Sequence, residues 1–216
     1  MNGYSVRYQK CDDYPIMFIG LGRVNQMVFK LVNQVIDPRS QIISLEDFEA
    51  LSSRVTNYRE YAAFGSDVKL KEKIVDSVKS RGGNFISVIG STNIIAKDCE
   101  IGSNVFINSH NDLSSNGIVI GDNSIISSFC QISYDTKIGS GCTISAYTYA
   151  NSVELGKGTI VGIRSSFLGD QNNRISIPSY TNITTGSRVT HTITDAGTYY
   201  GNKKLNEKTS LDLRIL

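Results

Sequence analysis

The sequence predicts two unlike parts. A small α/β domain with a parallel sheet spans residues 1–88, a parallel β-helix spans 89–205, and a short amphipathic tail follows at 206–216. Three observations carry this reading. Aliphatic residues recur every six positions from Ile89 onward, small or polar residues often follow them, and the first third of the chain alternates strand-like with helical patterns.

In the first third, residues 14–20 (Tyr-Pro-Ile-Met-Phe-Ile-Gly) read as a buried strand, and Gly20-Leu21-Gly22-Arg23 as a tight turn. Val24, Met27, Val28, Leu31, Val32 and Val35 lie at helical spacing over 24–36. A strand at Gln41–Ser44 precedes a short helix at Leu45–Ser52, and Glu60–Phe64 is again strand-like. Asp67 is placed to cap a helix that runs through Leu70, Ile74 and Val78 to Arg81. Gly82-Gly83 ends it, and Asn84–Ile89 is the next strand. Alternating elements of this kind build a small parallel sheet flanked by helices, Rossmann-like but truncated beside a full dinucleotide fold.

The repeat runs through Ile89, Ile95, Ile101, Ile107 and Leu113, slips by one, and resumes at Ile120, Ile126, Ile132, Ile138, Ile144 and Ala150. A shorter step leads to Leu155, Val161 and Phe167, and the last series is Ile177, Ile183 and Val189. A period of six fits neither a helix face nor strand alternation. It fits short strands and tight turns with one inward side chain per strand, about 18 residues to a triangular coil. The glycines that follow anchors, as in Ile120-Gly121 and Val161-Gly162, are expected at turns with unusual dihedrals. Gly169–Arg174 interrupts the repeat as a polar surface loop.

Composition narrows the function. Of 216 residues, 22 are basic and 20 acidic, and the net charge of +2 gives no reason to expect nucleic acid or an anionic membrane as the partner. No apolar run is long enough to span a bilayer, and the first residues lack the apolar core of a signal peptide, so a cytoplasmic protein is expected. Cys11, Cys99, Cys130 and Cys142 show no metal-ligand spacing and read as reduced thiols. With only His110 and His191 present, a three-histidine metal centre within one chain is excluded, and no metal is expected.

The repeat resembles that of the hexapeptide-repeat acyltransferases, which form a left-handed parallel β-helix and usually trimerise. A small Rossmann-like domain joined to such a helix resembles the sialic acid O-acetyltransferase and bacillosamine N-acetyltransferase family. The residues that carry the resemblance are Phe85-Ile86-Ser87-Val88-Ile89 at the join, Thr185-Gly186-Ser187-Arg188-Val189-Thr190, and the Gly201-Asn202-Lys203-Lys204-Leu205 exit, which lacks the family's Pro-Ala pair. The resemblance implies a homotrimer that binds acetyl-CoA along the cleft between neighbouring helices. It places Ser145, Ala146, Gly162, Ile163, Thr185 and Gly186 on the rungs that hold the donor. It also implies a nucleotide-linked sugar in the N-terminal domain, with Gly20, Gly22 and Arg23 near its phosphates and Glu46 and Asp47 near its base or ribose.

Acyl transfer needs a base to deprotonate the acceptor. Where the family places a His-carboxylate pair before an Ile-Gly rung, this chain has Tyr134-Asp135. A tyrosine is a poor base near neutrality. Three readings stand side by side. His110, in an irregular segment ahead of Ile118-Val119-Ile120-Gly121-Asp122, resembles the catalytic histidine of related antibiotic and galactoside acetyltransferases. Alternatively Asp135 or Tyr134 acts directly on an amine, or the transferase activity is lost or redirected. His191 stands on a late rung where the family commonly has lysine and reads as a surface residue. The function implied is N-acetylation of a nucleotide-linked amino sugar for surface glycan synthesis. Sugar O-acetylation and a catalytically silent trimer that binds a nucleotide sugar are the alternatives.

Overall fold

The computed structural model describes residues 4–7, 15–32, 38–51, 58 and 60–206. The expected helix positions at 33–36, Cys11 and the tail from 207 lie outside the described residues. The chain runs through β1 (Tyr4–Arg7), β2 (Ile16–Ile19), α1 (Arg23–Val32), β3 (Gln41–Ile43), α2 (Leu45–Ala50), β4 (Glu60–Ala62), α3 (Val68–Ser80), β5 (Asn84–Phe85) and β6 (Ser87–Gly90). Strands β2 to β5 form one parallel sheet in the order β3-β2-β4-β5. Strand alternation divides its side chains between two cores. Ile16, Phe18 and Ala62 pack with Val28 and Val32 of α1, while Met17, Ile19 and Tyr61 pack with Phe48 of α2 and Ile74 and Val78 of α3.

Two local expectations change. Asn84–Ile89 is not one strand: after Phe85 the chain leaves the small sheet, and β6 joins the first face of the coils. On α3, Asp67 caps the helix by accepting Leu70 N–H at 3.0 Å, as its position before an apolar pattern implies. Ile74 and Val78 are buried as expected, but Leu70 is exposed and Lys71 is buried in its place.

From β6 on, the chain is a left-handed β-helix of about 6 turns. It has three faces of parallel strands, with β1 and the terminal Lys203–Lys204 strand as antiparallel additions. The anchors point inward. Ile107, Leu113, Ile126, Ile144, Val161, Phe167 and Val189 are fully buried in a single core, with Ile95 and Ile101 partly buried at its start. We call the turns edges: edge 1 leads from the first face to the second, edge 2 from the second to the third, and edge 3 back to the first.

The glycines that follow anchors have a different role from the one expected. Gly121 and Gly162 are not in the left-handed region. A Cβ at either would overlap the backbone of the next coil, at Ser140 and at Thr185. Their reason is close approach between rungs. The left-handed positions fall one or two residues further on: His110, Phe129, Tyr147, Arg164 and Gly186 on edge 1; Gly117, Asp135 and Ser152 on edge 2; Asn104, Asn123, Gly141, Gly158 and Tyr180 on edge 3.

The small domain sits on the first face and edge 3. Phe64 meets Phe106 with ring centroids 5.8 Å apart, and Phe106 and Ile125, which point out of the coils, are buried beneath it. Asn104 is the polar joint. Its Oδ1 accepts Ala63 N–H at 2.9 Å, while its Nδ2 donates to Ala63 O at 2.9 Å and to Asn123 Oδ1 at 2.9 Å. Lys157 on edge 3 pairs with Glu72 of α3 at 2.5 Å. An Asn104→Ala substitution leaves both backbone groups of Ala63 without partners and puts a less tolerant residue at a φ of 53°. The expected cost is about 2–4 kcal/mol, read as a lower urea midpoint; an unchanged midpoint would remove Asn104 as the joint.

Candidate functional site

Two places gather the residues singled out from the sequence. The first is a cleft of about 260 Å³ at the C-terminal ends of β2 and β4. These are neighbouring strands from which the chain departs in opposite directions, the switch point at which open α/β sheets hold ligands. Gly20, Gly22 and Arg23 line it, together with Phe64, Gly65, Ser66, Asp67, Leu70 and Lys71. Asn25, buried in the first turn of α1, holds the loop in shape. Its Nδ2 donates to Ile19 O at 3.0 Å and Gly20 O at 2.8 Å, and its Oδ1 accepts Phe64 N–H at 3.2 Å. This leaves the start of α1 facing the cleft with N–H groups that suit an anion.

Glu46 and Asp47 do not line this cleft. Asp47 belongs to the cap of α2: Ser44 Oγ accepts Asp47 N–H at 2.9 Å and donates to Asp47 Oδ2 at 2.8 Å. Glu46 is exposed beside it. A larger cavity of about 580 Å³ lies at the opposite ends of the strands, lined by Glu60, Asn84, Ser103 and Asp122. It holds none of the predicted residues.

Lys71 went unnoticed in the sequence, where it is one of several lysines on α3. Its Nζ donates to Asn123 O at 2.7 Å and to Gly141 O at 3.4 Å, both left-handed positions of edge 3. Burial pulls its pKa down to about 8, against smaller opposing effects of Cys142, Asp67 and Glu72. The residue therefore ties the cleft floor to the coils.

The second place is edge 1. Ser145 and Ala146, Gly162 and Ile163, and Thr185 and Gly186 all lie there, on three successive rungs joined by Ser145 N–H to Val161 O at 3.0 Å and Gly162 N–H to Ile183 O at 2.7 Å. His110 stands on the same edge nearer the start of the helix, exposed, with its backbone N–H donating to Thr92 Oγ1 at 3.1 Å. Phe129 stands on the turn between, and Tyr147 and Arg164 on the turns of Ser145 and Gly162. The His110 and Phe129 rings stack 5.1 Å apart at 11°, Phe129 and Tyr147 stack 5.1 Å apart at 7°, and Arg164 Cζ lies 5.8 Å from the Tyr147 centroid. The signal for this ladder was available in the sequence, since its members follow one another at about one coil's length.

Tyr134 and Asp135 stand apart from that edge. They occupy edge 2, between the strands Gln131–Ile132 and Lys137–Ile138, so one chain does not bring Asp135 to His110. Tyr134 is 59% exposed. The polar insertion 169–174 lies on this edge too, away from the residues expected to hold the donor. It is pinned by Arg174 Nη2 to Asp135 O at 3.0 Å, Asp170 Oδ1 to Asn172 and Asn173 N–H, and Asn173 Nδ2 to Thr190 O at 3.2 Å. His191 is exposed near the end of the coils, its carbonyl accepting from Asn202 Nδ2 at 2.7 Å.

Cys130 and Cys142 are buried in the coil core, where burial pushes both thiols up to about 11, and Cys99 is half-buried. Among the described residues no group of His, Cys, Asp and Glu could hold a metal ion. No described helix is long and apolar enough to cross a membrane.

Comparison with known proteins agrees with the repeat. Residues 117–152 match the family of bacterial transferase hexapeptide (six repeats). No curated protein sequence matches the chain. The fold is similar to that of PerB from Caulobacter crescentus, solved with CoA and GDP-perosamine, with a TM-score of 0.74 at 16% identity over 85% of this chain and 92% of that one. It is similar to the acetyltransferase domain of PglB from Neisseria gonorrhoeae, with a TM-score of 0.76 at 16% identity over 89% and 100%. It is also similar to WeeI from Acinetobacter baumannii, with a TM-score of 0.74 at 15% identity over 88% and 98%.

Lys71 gives the domain junction a pH signature. Its folded pKa of about 8 lies below the ordinary 10.5, so between these values the unfolded chain binds more protons and stability rises with pH. Relative to Lys71→Met, which lacks this titration, the wild type should gain up to about 3 kcal/mol between pH 8 and 10.5, read from urea midpoints. Parallel pH profiles for the two proteins would show that Lys71 keeps an ordinary pKa.

Proposed function

We propose that the chain is an acyl-CoA-dependent sugar acyltransferase that N-acetylates a nucleotide-linked amino sugar for surface glycan synthesis. The observation that carries this reading is the meeting of seven residues on edge 1. The six inferred as donor contacts and His110 come from different parts of the sequence, yet share one column of turns. The acetyltransferases of similar fold, solved with CoA and GDP-perosamine or with acetyl coenzyme A, support the same class of donor and acceptor.

In this reading the donor lies along edge 1 with its thioester toward His110. The nucleotide sits in the cleft at β2 and β4, its phosphates against Gly20, Gly22, Arg23 and the start of α1. The acceptor nitrogen attacks the acetyl carbonyl carbon, His110 takes the proton that the nitrogen loses, the C–S bond breaks, and His110 passes that proton to the departing sulfur, so CoA leaves as the thiol. Exposure of His110 supports access to the acceptor. A homotrimer, as the family resemblance implies, would set edge 1 in a cleft between neighbouring prisms, where a long donor is held from two sides.

A second reading keeps Tyr134 and Asp135 in the chemistry. Tyr134 is exposed, and Arg174 steadies the turn by donating to Asp135 O. The two readings separate in one assay of thiol release from acetyl-CoA with UDP-, GDP- and dTDP-linked amino sugars. His110→Asn keeps a residue that tolerates a φ of 62° and should lower turnover about 100-fold or more, while Tyr134→Phe and Asp135→Asn stay within a few-fold of the wild type. Loss on Tyr134→Phe or Asp135→Asn with His110→Asn fully active would move the chemistry to edge 2. No turnover by the wild type with any of these acceptors would favour the silent, sugar-binding reading.

A further inference from the structure

The ladder on edge 1 is costly for what a turn requires. His110, Phe129, Tyr147 and Arg164 hold φ values of 58–62°, the left-handed region that bulky L residues avoid at about 1 kcal/mol or more each. On edge 3 four of the five equivalent positions are Asn or Gly. Phe129 and Tyr147 nevertheless leave half of their surface in solvent, 50% and 52%. Strain together with exposure points to a task outside the fold.

The two ends of the ladder differ in chemistry. His110 closes one end and Arg164 the other. The six turns of edge 1 span 91–93, 108–111, 127–130, 145–148, 162–165 and 184–187, and Arg164 is their only Lys, Arg, Asp or Glu. Among the described residues no carboxylate forms an ion pair with it. Its guanidinium is thus the one cation on an otherwise uncharged edge, free to meet an anion.

Length makes the assignment specific. Neighbouring rungs stack about 4.8 Å apart, so the three steps from His110 to Arg164 cover about 14 Å. The arm of CoA between its diphosphate and its sulfur has about twelve bonds, as many as four extended residues, or roughly 14 Å. We propose that Arg164 anchors the diphosphate of the acyl donor, and that the Phe129 and Tyr147 edges hold the pantetheine arm so that its thioester reaches His110. This rests on the acyltransferase reading, adding the residue that fixes the donor's direction and register. It also gives the ring stack a function: two rigid side chains, already ordered by stacking, lose little further freedom when the arm settles against them.

The test is calorimetric binding of CoA and of dephospho-CoA to the wild type, Arg164→Met and Arg164→Lys, with no acceptor present. Arg164→Met should weaken both ligands about tenfold or more, and to the same extent, while Arg164→Lys keeps most of the affinity. Wild-type affinity for CoA in Arg164→Met would overturn the anchor. So would a Lys variant as weak as the Met variant, or a loss confined to CoA, which would put the 3′-phosphate rather than the diphosphate on Arg164. Failure of the wild type to bind CoA at all would overturn the acyltransferase reading itself, and the anchor with it.

Discussion

Parallel pairing of each rung with the next, residue for residue, is the constraint on which the rest of the molecule depends. Val119 pairs with Glu100 and with Lys137, Ile125 with Phe106 and with Thr143, and the same register continues up each face. Once that register is fixed, one side chain per strand must point inward, and it must be aliphatic because its neighbours above and below are aliphatic. The rungs then come so close at the turns that Gly121 and Gly162 cannot carry a Cβ. The edges close through left-handed residues, and residues one coil apart become neighbours. Both the interior column and the columns on the edges follow from the same hydrogen bonds.

The edges also determine how the small domain attaches. A left-handed residue turns its carbonyl away from the ladder, so edge 3 presents oxygen atoms that the strands do not use. Lys71 reaches two of them, at Asn123 and Gly141, and Asn104 serves Ala63 on one side and Asn123 on the other. The junction therefore reads the period of the coils. Apolar contact through Phe64 and Phe106 adds burial but would tolerate a shift along the face; the polar contacts would not.

The interior was legible in the sequence because its signal is repeated. Ile126, Ile132, Ile138 and Ile144 announce the same environment four times, and each is buried. The edges were harder to read. Which of the turn residues adopts positive φ depends on rung geometry, and bulky residues on edge 1 hid the position that Asn and Gly mark on edge 3. The glycines after the anchors mark close approach between rungs, which a sequence does not distinguish from a left-handed torsion. Lys71 and Leu70 exchange roles because α3 meets two surfaces, the apolar sheet through Ile74 and Val78 and the carbonyl-lined edge 3 through Lys71, so a helical hydrophobic pattern alone picks the wrong side chain. In the candidate site, the six residues proposed for the donor fall together because they share the coil period. Glu46 and Asp47 did not reach the cleft because the short α2 uses Asp47 in its own cap.

The slips in the repeat mark where the prism departs from regularity. The extra residue before Ile120 falls on edge 2, in the segment 114–118, and the insertion 169–174 falls on the same edge. Edge 1 carries no insertion from His110 to Gly186. An uninterrupted column is what a long, linear ligand needs, since one displaced rung would break the line of turns along which it lies. Edge 2 can absorb extra residues because the insertion satisfies itself, Asp170 accepting from Asn172 and Asn173, while Arg174 ties it back to an earlier turn of the same edge at Asp135. The division of labour between edges is therefore a consequence of where insertions are tolerated. Irregularity is kept on one edge, the small domain holds another, and the third stays straight.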